Sequence, residues 1–141
     1  MKPITVSYRV EPDGLGSHRY CALLPVQVSL PIANALRTKR FEAVIDSGAS
    51  RCLFHADIGM FLGIDLKSCH IEETQGIGGK ENTYLHGLTL YIPGGPVTIK
   101  AGFKEKLPIA GLLGMSGFFE HFLVTFDGTA QTCTLERRYL A

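Results

Sequence analysis

The chain has 141 residues, of which 45% are hydrophobic and 19% charged, a composition that favours a folded globular protein over a disordered one. Its 14 lysine and arginine residues nearly balance 13 aspartate and glutamate residues, which leaves a formal charge of +1. This balance excludes a general electrostatic attraction to polyanions, so we expect neither nucleic acid nor a membrane as a partner.

Period-two alternation predicts two strands near the start of the chain. Apolar and polar residues alternate over residues 4–10 and again over residues 26–30, which is typical of strands with one buried face. Residues 11–19 contain one proline and two glycines and predict an exposed loop or a long turn. The chain opens without the apolar run of a signal peptide or an anchor, so we expect it to be cytoplasmic.

The later part of the chain predicts a hairpin and two short helices. Residues 88–92 and 97–103 again read as strands, and Pro93-Gly94-Gly95-Pro96 between them predicts a tight turn. Apolar residues share one helical face over residues 55–63 and 115–122. These elements predict a mostly β fold, a small barrel or double sheet with one or two short helices.

A membrane span is a poor interpretation of residues 107–126, although their length approaches the roughly 20 residues that a spanning helix needs. Three glycines fall inside this segment, and Glu120 and His121 would have to lie in hydrocarbon. We therefore interpret it as a buried segment of a soluble protein.

The cysteines favour free thiols over a metal site. They show no Cys-x-x-Cys spacing, and a chain of this length does not depend on disulfides. A zinc site could be drawn from four residues, but two of them are adjacent in sequence, and neighbours on a strand point to opposite faces. The four residues are Cys52, His55, Cys69 and His70. We predict no metal and no other cofactor.

A carboxylate follows a short apolar strand in the middle of the chain. The strand-forming residues 43–45 lead directly into Asp46-Ser47-Gly48-Ala49. A charge at the end of an apolar strand is costly unless its oxygens are hydrogen-bonded, and small residues leave room for backbone N–H groups to approach it. An ordinary turn explains this segment taken alone, so its interpretation depends on the rest of the chain.

Two segments further along supply that context. Residues 75–80 place three glycines around Ile77 between strand-like stretches, as the mobile tip of a hairpin that covers a ligand requires. Residues 109–114 read as a buried strand that ends at Gly114. Each segment taken singly is an ordinary turn or core strand.

The three segments, in this order and at these separations, resemble the retropepsin-like aspartic proteases, the family of retroviral proteases and their bacterial and eukaryotic relatives. The likeness covers about residues 41–126, and residues 133–136 are similar to the closing strand of the family. Residues 46–49 match its catalytic motif, residues 76–79 resemble its flap tip, and residues 112–114 resemble the apolar pair and glycine that buttress the catalytic loop. Residues 118–127 look particularly like bacterial members.

The chain departs from the family pattern at two places. Ser47 stands where many members carry threonine, a change that keeps the hydroxyl. Met115 and Ser116 follow Gly114 where the retroviral enzymes usually carry an arginine and a small polar residue, which bears on how a dimer is braced.

The resemblance implies a retropepsin-like closed β barrel or double sheet with antiparallel hairpins and a flap. It implies a single protease domain over residues 1–141, with N-terminal strands and a loop in residues 1–40 and the motif-bearing core in residues 41–136. It also implies an aspartic endopeptidase that cleaves peptide or protein substrates with two carboxylates sharing a proton around a water. The other aspartates fall in predicted loops or beside a predicted helix, so the second carboxylate is expected from Asp46 of another subunit in a homodimer.

Residue roles follow from the same resemblance. The catalytic residues are expected to be Asp46, Ser47 and Gly48. Substrate-binding residues are expected in the catalytic loop, the flap and the buttressing strand: Ala49, Gly76, Ile77, Gly78, Gly79 and Leu112. Leu53, Ile77 and Leu112 are expected to line subsites for apolar side chains.

Two alternatives remain open from the sequence. One is a non-catalytic binding or dimerisation module on the same fold, because a fold does not guarantee activity. The other is a serine hydrolase, because residues 114–118 nearly match the Gly-x-Ser-x-Gly elbow. Phe118 replaces the last glycine of that motif and no parallel βαβ pattern surrounds it, so we interpret Ser116 as the N-cap of the predicted helix.

Overall fold

The structure, a computed structural model, describes residues 1–76 and 79–139. In this part of the chain the elements are ten strands, one α-helix and two 3-10 turns. The strands are β1 Ile4–Pro12, β2 His18–Ser29, β3 Phe41–Ile45, β4 Leu53–His55, β5 His70–Gly76, β6 Gly79–Ile92, β7 Gly95–Lys104, β8 Gly111–Leu113, β9 Phe122–Asp127 and β10 Thr132–Arg137. Helix α1 is Ala56–Phe61, and the 3-10 turns are Leu66–Ser68 and Phe119–His121.

Six of these strands close into a barrel. Hydrogen-bonded neighbours follow the order β6-β7-β4-β8-β3-β2, and β2 pairs with β6 to complete the ring. Strand β5 extends the sheet from β6, while β1, β10 and β9 extend it from β2. The predicted mostly β fold with antiparallel hairpins is therefore confirmed, and of the two predicted architectures the chain adopts the closed barrel.

Apolar side chains fill the inside of the barrel. Phe54 and Phe103 are fully buried, and their ring centroids lie 6.2 Å apart. Phe41 packs edge-on against Phe54 with centroids 6.0 Å apart, an arrangement that aromatic rings favour. The alternation predicted for residues 26–30 extends along β2, whose inward residues are Ala22, Leu24, Val26 and Val28.

The predicted hairpin and the first predicted helix are confirmed. Ile92 at the end of β6 pairs with Gly95 at the start of β7, which places the tight turn within residues 93–96. Helix α1 lies within the predicted residues 55–63 and begins after His55, whose Nδ1 accepts the Asp57 N–H at 3.0 Å.

The helix predicted over residues 115–122 is wrong. Gly117 has a φ of +99°, in the left-handed region that interrupts a right-handed helix, and only the 3-10 turn Phe119–His121 follows it. Ser116 is therefore not the N-cap of a helix. Its backbone instead bonds to the segment after β3, donating to the Ser50 carbonyl at 3.0 Å.

The loop predicted over residues 11–19 is shorter than expected. Strand β1 continues to Pro12 and β2 begins at His18, which leaves a five-residue turn. Asp13 Oδ1 accepts the N–H groups of Leu15 at 2.7 Å and Ser17 at 3.1 Å. These bonds satisfy the backbone of the turn and allow the strands to pair up to its edges.

Among the described residues, no helix has both the length and the apolar character needed to cross a membrane.

Replacing Phe54 with alanine tests the packing of the barrel. Since the ring is fully buried, we expect its loss to lower the free energy of unfolding by about 3–5 kcal/mol. The matched control is Phe61→Ala, because Phe61 is 60% exposed on α1 and its removal should cost less than about 0.5 kcal/mol. Urea denaturation measures both, and equal effects would contradict the assignment of the core.

Candidate active site

The predicted catalytic loop crosses the end of an inserted strand. Strand β8 lies between β3 and β4, parallel to β3 and antiparallel to β4. Leu112 of β8 pairs with Val44 of β3 on one side and with Leu53 of β4 on the other. The segment from Asp46 to Cys52 that joins β3 to β4 must therefore pass over the end of β8.

Backbone hydrogen bonds fasten this loop to the chain around the end of β8. The Asp46 N–H donates to the Leu113 carbonyl at 3.0 Å, and the Met115 N–H donates to the Ala49 carbonyl at 2.8 Å. On the far side of the loop the Cys52 N–H donates to the Ser116 carbonyl at 3.3 Å. Both ends of the loop are thus held by residues 113–116, so its shape depends on the barrel.

The loop presents the carboxylate of Asp46 at the surface. Asp46 Oδ1 accepts the Gly48 N–H at 2.8 Å, and the Asp46 carbonyl accepts the Ala49 N–H at 3.2 Å. The side chain is half-buried, while Ser47 and Gly48 are exposed. Within residues 1–76 and 79–139 the Asp46 carboxylate makes no ion pair. One oxygen is therefore oriented by the loop, and the group stays open to a partner or to water.

Gly114 allows the loop and the end of β8 to come into contact. A Cβ built on this residue would overlap the Arg51 carbonyl oxygen and lie 2.7 Å from the Ala49 carbonyl oxygen. Both obstacles are backbone atoms, which cannot rotate away as a flexible side chain can. The close approach therefore requires glycine at this position.

Cys52 lies buried beneath the loop. It has no exposed surface, and its Sγ accepts the Gly114 N–H at 3.5 Å. Burial raises the pKa of the Cys52 thiol to about 11, because a thiolate would lose its hydration there. The thiol thus acts as a neutral packing group, and all four cysteines in the described residues are free, as predicted.

An ion pair links the loop to the neighbouring hairpin, and sequence reasoning missed it. Arg51 donates to a carboxylate oxygen of Glu72 on β5 at 3.0 Å, with side chains 27% and 43% exposed. The two residues are 21 positions apart, and no local pattern marks them as partners.

The structure brings most of the predicted site residues to one region. Residues 46–49 form the loop, while Leu53 and Leu112 are half-buried cross-strand partners directly below it. Gly76 pairs with Gly79 at the end of the β5-β6 hairpin, whose strands are those predicted around the flap tip. Ile77 and Gly78 lie outside the described residues.

The main cavities of the described chain lie away from Asp46. One is lined by residues that include Tyr84 and Glu105, and another by residues that include Arg37 and Tyr91. In the described residues, no three His, Cys, Asp or Glu side chains are grouped as metal ligands. Asp46 lines neither of these two cavities.

The fold is that of the retropepsin-like aspartic proteases. It matches the crystal structure of a retropepsin-like aspartic protease from Rickettsia conorii with a TM-score of 0.67 and 18% identity, over 96% of this chain and 99% of that chain. The protease of EIAV, solved in complex with the inhibitor HBY-793, aligns with a TM-score of 0.49 and 14% identity, over 67% of this chain and 81% of that chain. No family model and no curated protein matches the chain.

Substituting Gly114 tests the contact that shapes the loop. Because a methyl group would collide with two backbone carbonyls, we expect Gly114→Ala to lower the free energy of unfolding by about 1–3 kcal/mol. The control is Gly128→Ala, since a Cβ at Gly128 meets nothing within 4 Å. Chemical denaturation compares the variants, and a neutral effect at position 114 would contradict the close approach.

Thiol labelling tests the burial of Cys52. At pH 8 roughly one in a thousand thiols with a pKa of about 11 is ionised, so a thiolate-directed reagent should modify folded Cys52 only slowly. Cys21, which is half-buried on β2, is the internal comparison and should be labelled first. Mass spectrometry of peptides after timed labelling measures both rates, and equal rates in the folded protein would rule out the buried thiol.

Proposed function

We propose that the chain is an aspartic endopeptidase that acts as a homodimer, with Asp46 of each subunit activating one water between them. The observation that carries this proposal is the presentation of Asp46 at the end of a barrel strand, with one oxygen held by Gly48 N–H and the group open at the surface. The retropepsin-like fold supports the same chemistry.

The need for a second subunit follows from the chemistry. An aspartic protease requires one carboxylate that takes a proton and a second that gives one. The remaining aspartates have local roles: Asp13 closes the β1-β2 turn, Asp57 and Asp65 lie at the starts of helical turns, and Asp127 closes the β9-β10 turn. The partner of Asp46 is therefore proposed to be a second Asp46, related by a two-fold axis.

In the proposed reaction the two carboxylates share a single proton. The proton belongs to the pair because two carboxyl groups about 3 Å apart do not both ionise. The ionised Asp46 takes a proton from the water as the water oxygen attacks the peptide carbonyl carbon. The protonated Asp46 gives its proton to the carbonyl oxygen, which produces a tetrahedral diol. Proton transfer to the amide nitrogen then breaks the carbon–nitrogen bond and releases an acid and an amine.

Residues around Asp46 are proposed to hold these groups in place. The Gly48 N–H orients the carboxylate of its own subunit at 2.8 Å, and the exposed Ser47 hydroxyl is proposed to bond across the axis. Since two acids must remain at a fixed separation, the bonds from residues 113–116 to the loop matter for catalysis as well as for folding.

The substrate is proposed to be an extended peptide. It would lie between the two Asp46 residues and the β5-β6 hairpins of both subunits and form strand-like hydrogen bonds. Ala49 and residues 76–79 are proposed to contact the peptide backbone, and Leu53 and Leu112 to favour apolar side chains. Because β1 and β10 share one sheet with the barrel, we propose that residues 1–141 act as one protease domain.

Replacing Asp46 with asparagine tests the assignment. The amide cannot serve as acid or base, so we expect cleavage of an unfolded polypeptide to fall by at least about a hundredfold while the thermal unfolding midpoint is retained. The control is Asp57→Asn, because the Asp57 side chain is 77% exposed on α1. Assays from acidic to neutral pH with a pepstatin-type inhibitor measure activity, and unchanged activity of Asp46→Asn would exclude the mechanism.

Subunit mixing tests the shared site. With an excess of Asp46→Asn subunits, most wild-type chains enter mixed dimers that carry a single Asp46 carboxylate, so activity per wild-type chain should fall. An active monomer, or activity indifferent to the added variant, would argue against a site built from two subunits. A folded dimer that cleaves nothing at any pH would instead favour the non-catalytic module.

A further inference from the structure

A cleft away from Asp46 lies on strand β2, which is paired with β3 and with β6. Residues Leu23 to Val26 of β2 pair with β3, whereas the next residues, Gln27 to Ser29, pair with β6. The chain before β3 and the end of β6 lie on the two sides of β2, which forms the floor of the cleft between them.

The cleft encloses about 410 Å³, a size suited to a small molecule. Strand β2 forms its floor, the end of β6 forms one wall, and the other wall carries two guanidinium groups. The lining residues are Pro25, Val26, Gln27, Arg37, Arg40, Tyr91, Ile92 and Pro93. None of them is acidic, so the charge of the cleft is positive.

The exposed Arg37 and the half-buried Tyr91 of the cleft contact each other, and Tyr91 also contacts a buried residue. The Arg37 guanidinium carbon lies 3.9 Å from the centre of the Tyr91 ring, a cation–π geometry. The Tyr91 hydroxyl is 3.1 Å from that of Ser29, which is 1% exposed. Since the ring is fixed by this bond, the stacked guanidinium is also restrained.

Thr38 anchors the segment that carries both arginines. Its N–H donates to the Val28 carbonyl at 3.0 Å, and its Oγ1 accepts the Val28 N–H at 3.1 Å. The Gln27 side-chain amide donates to the Thr38 carbonyl at 2.8 Å. A primary amide nitrogen has two hydrogens, so Gln27 retains a further donor for a ligand.

The two arginines differ from most others of the protein in their charge partners. Arg9, Arg51 and Arg138 each lie within 4.0 Å of a glutamate. In the part of the chain that the structure describes, neither Arg37 nor Arg40 forms such a pair. Two exposed guanidinium groups at one cleft with no lining carboxylate provide planar donor forks for an oxyanion.

We propose that this cleft binds a small organic anion through a carboxylate or phosphate group held by Arg37, Arg40 and the Gln27 amide, with the rest of the ligand against Pro25, Tyr91 and Pro93. The site is separate from Asp46. Arg40 precedes and Asp46 follows the five residues of β3, which span about 17 Å at roughly 3.3 Å per residue. The proposed anion site therefore does not rest on the proposed protease activity.

Anion titrations at constant ionic strength test the site, with inorganic phosphate in one arm and benzoate in the other. We expect saturable shifts of the Arg37 Nε–H and Gln27 side-chain amide signals in NMR spectra. Arg37→Gln and Arg40→Gln should each weaken binding by about tenfold or more, since charge-assisted hydrogen bonds are lost. Arg37→Lys keeps the charge but loses the fork and the stacking, and should also weaken binding.

The control is Arg19→Gln, which removes an exposed arginine of β2 outside the cleft and should leave binding unchanged. The arm that saturates at lower concentration identifies the preferred anionic group. The proposal is overturned if neither anion gives saturable shifts. It is also overturned if Arg19→Gln weakens binding as much as the cleft variants, or if Arg37→Lys binds like the wild type, because attraction would then be general.

Discussion

The contact between Gly114 and the carbonyls of Ala49 and Arg51 is the constraint on which the proposed site depends. Strand β8 lies between β3 and β4, so the loop joining those two strands has to cross the end of β8. The crossing is so close that only glycine fits at position 114. The same close approach gives both sides of the loop backbone hydrogen-bond partners. A carboxylate at a strand end thereby gains a fixed position without a dedicated side-chain scaffold around it.

Closure of the barrel connects this constraint to the rest of the chain. Because β2 pairs with both β3 and β6, it completes the ring, and the cleft beside the start of β3 lies across it. The two ends of the short strand β3 consequently face different environments. One end leads into the loop that carries Asp46 and is fastened to β8, and the other emerges beside a cleft lined by Arg37 and Arg40.

The errors of the sequence predictions have identifiable causes. Residues 115–122 carry phenylalanines at helical spacing, but Gly117 adopts a positive φ and Ser116 is used in bonds to residues 50 and 52. Long-range backbone pairing therefore prevailed over local periodicity. In residues 11–19 the composition predicts a loop, but the strands extend to Pro12 and from His18. The Asp13 side chain accepts two backbone N–H groups of the short turn between them. The Arg51–Glu72 pair and the Arg37–Tyr91 stack join residues distant in sequence and leave no local signal.

The sequence by itself determined the local features of this protein: the strands with alternating burial, the turn at residues 93–96, and the Asp46 motif at the end of an apolar strand. These depend on side-chain period, on backbone angles of glycine and proline, and on the cost of desolvating a charge, all of which are properties of neighbouring residues. Only the tertiary structure decided that β8 separates β3 from β4, that Gly114 touches the loop, and that the barrel closes through β2 and β6. Those features depend on which distant segments meet, and a single sequence does not encode that choice in any short pattern.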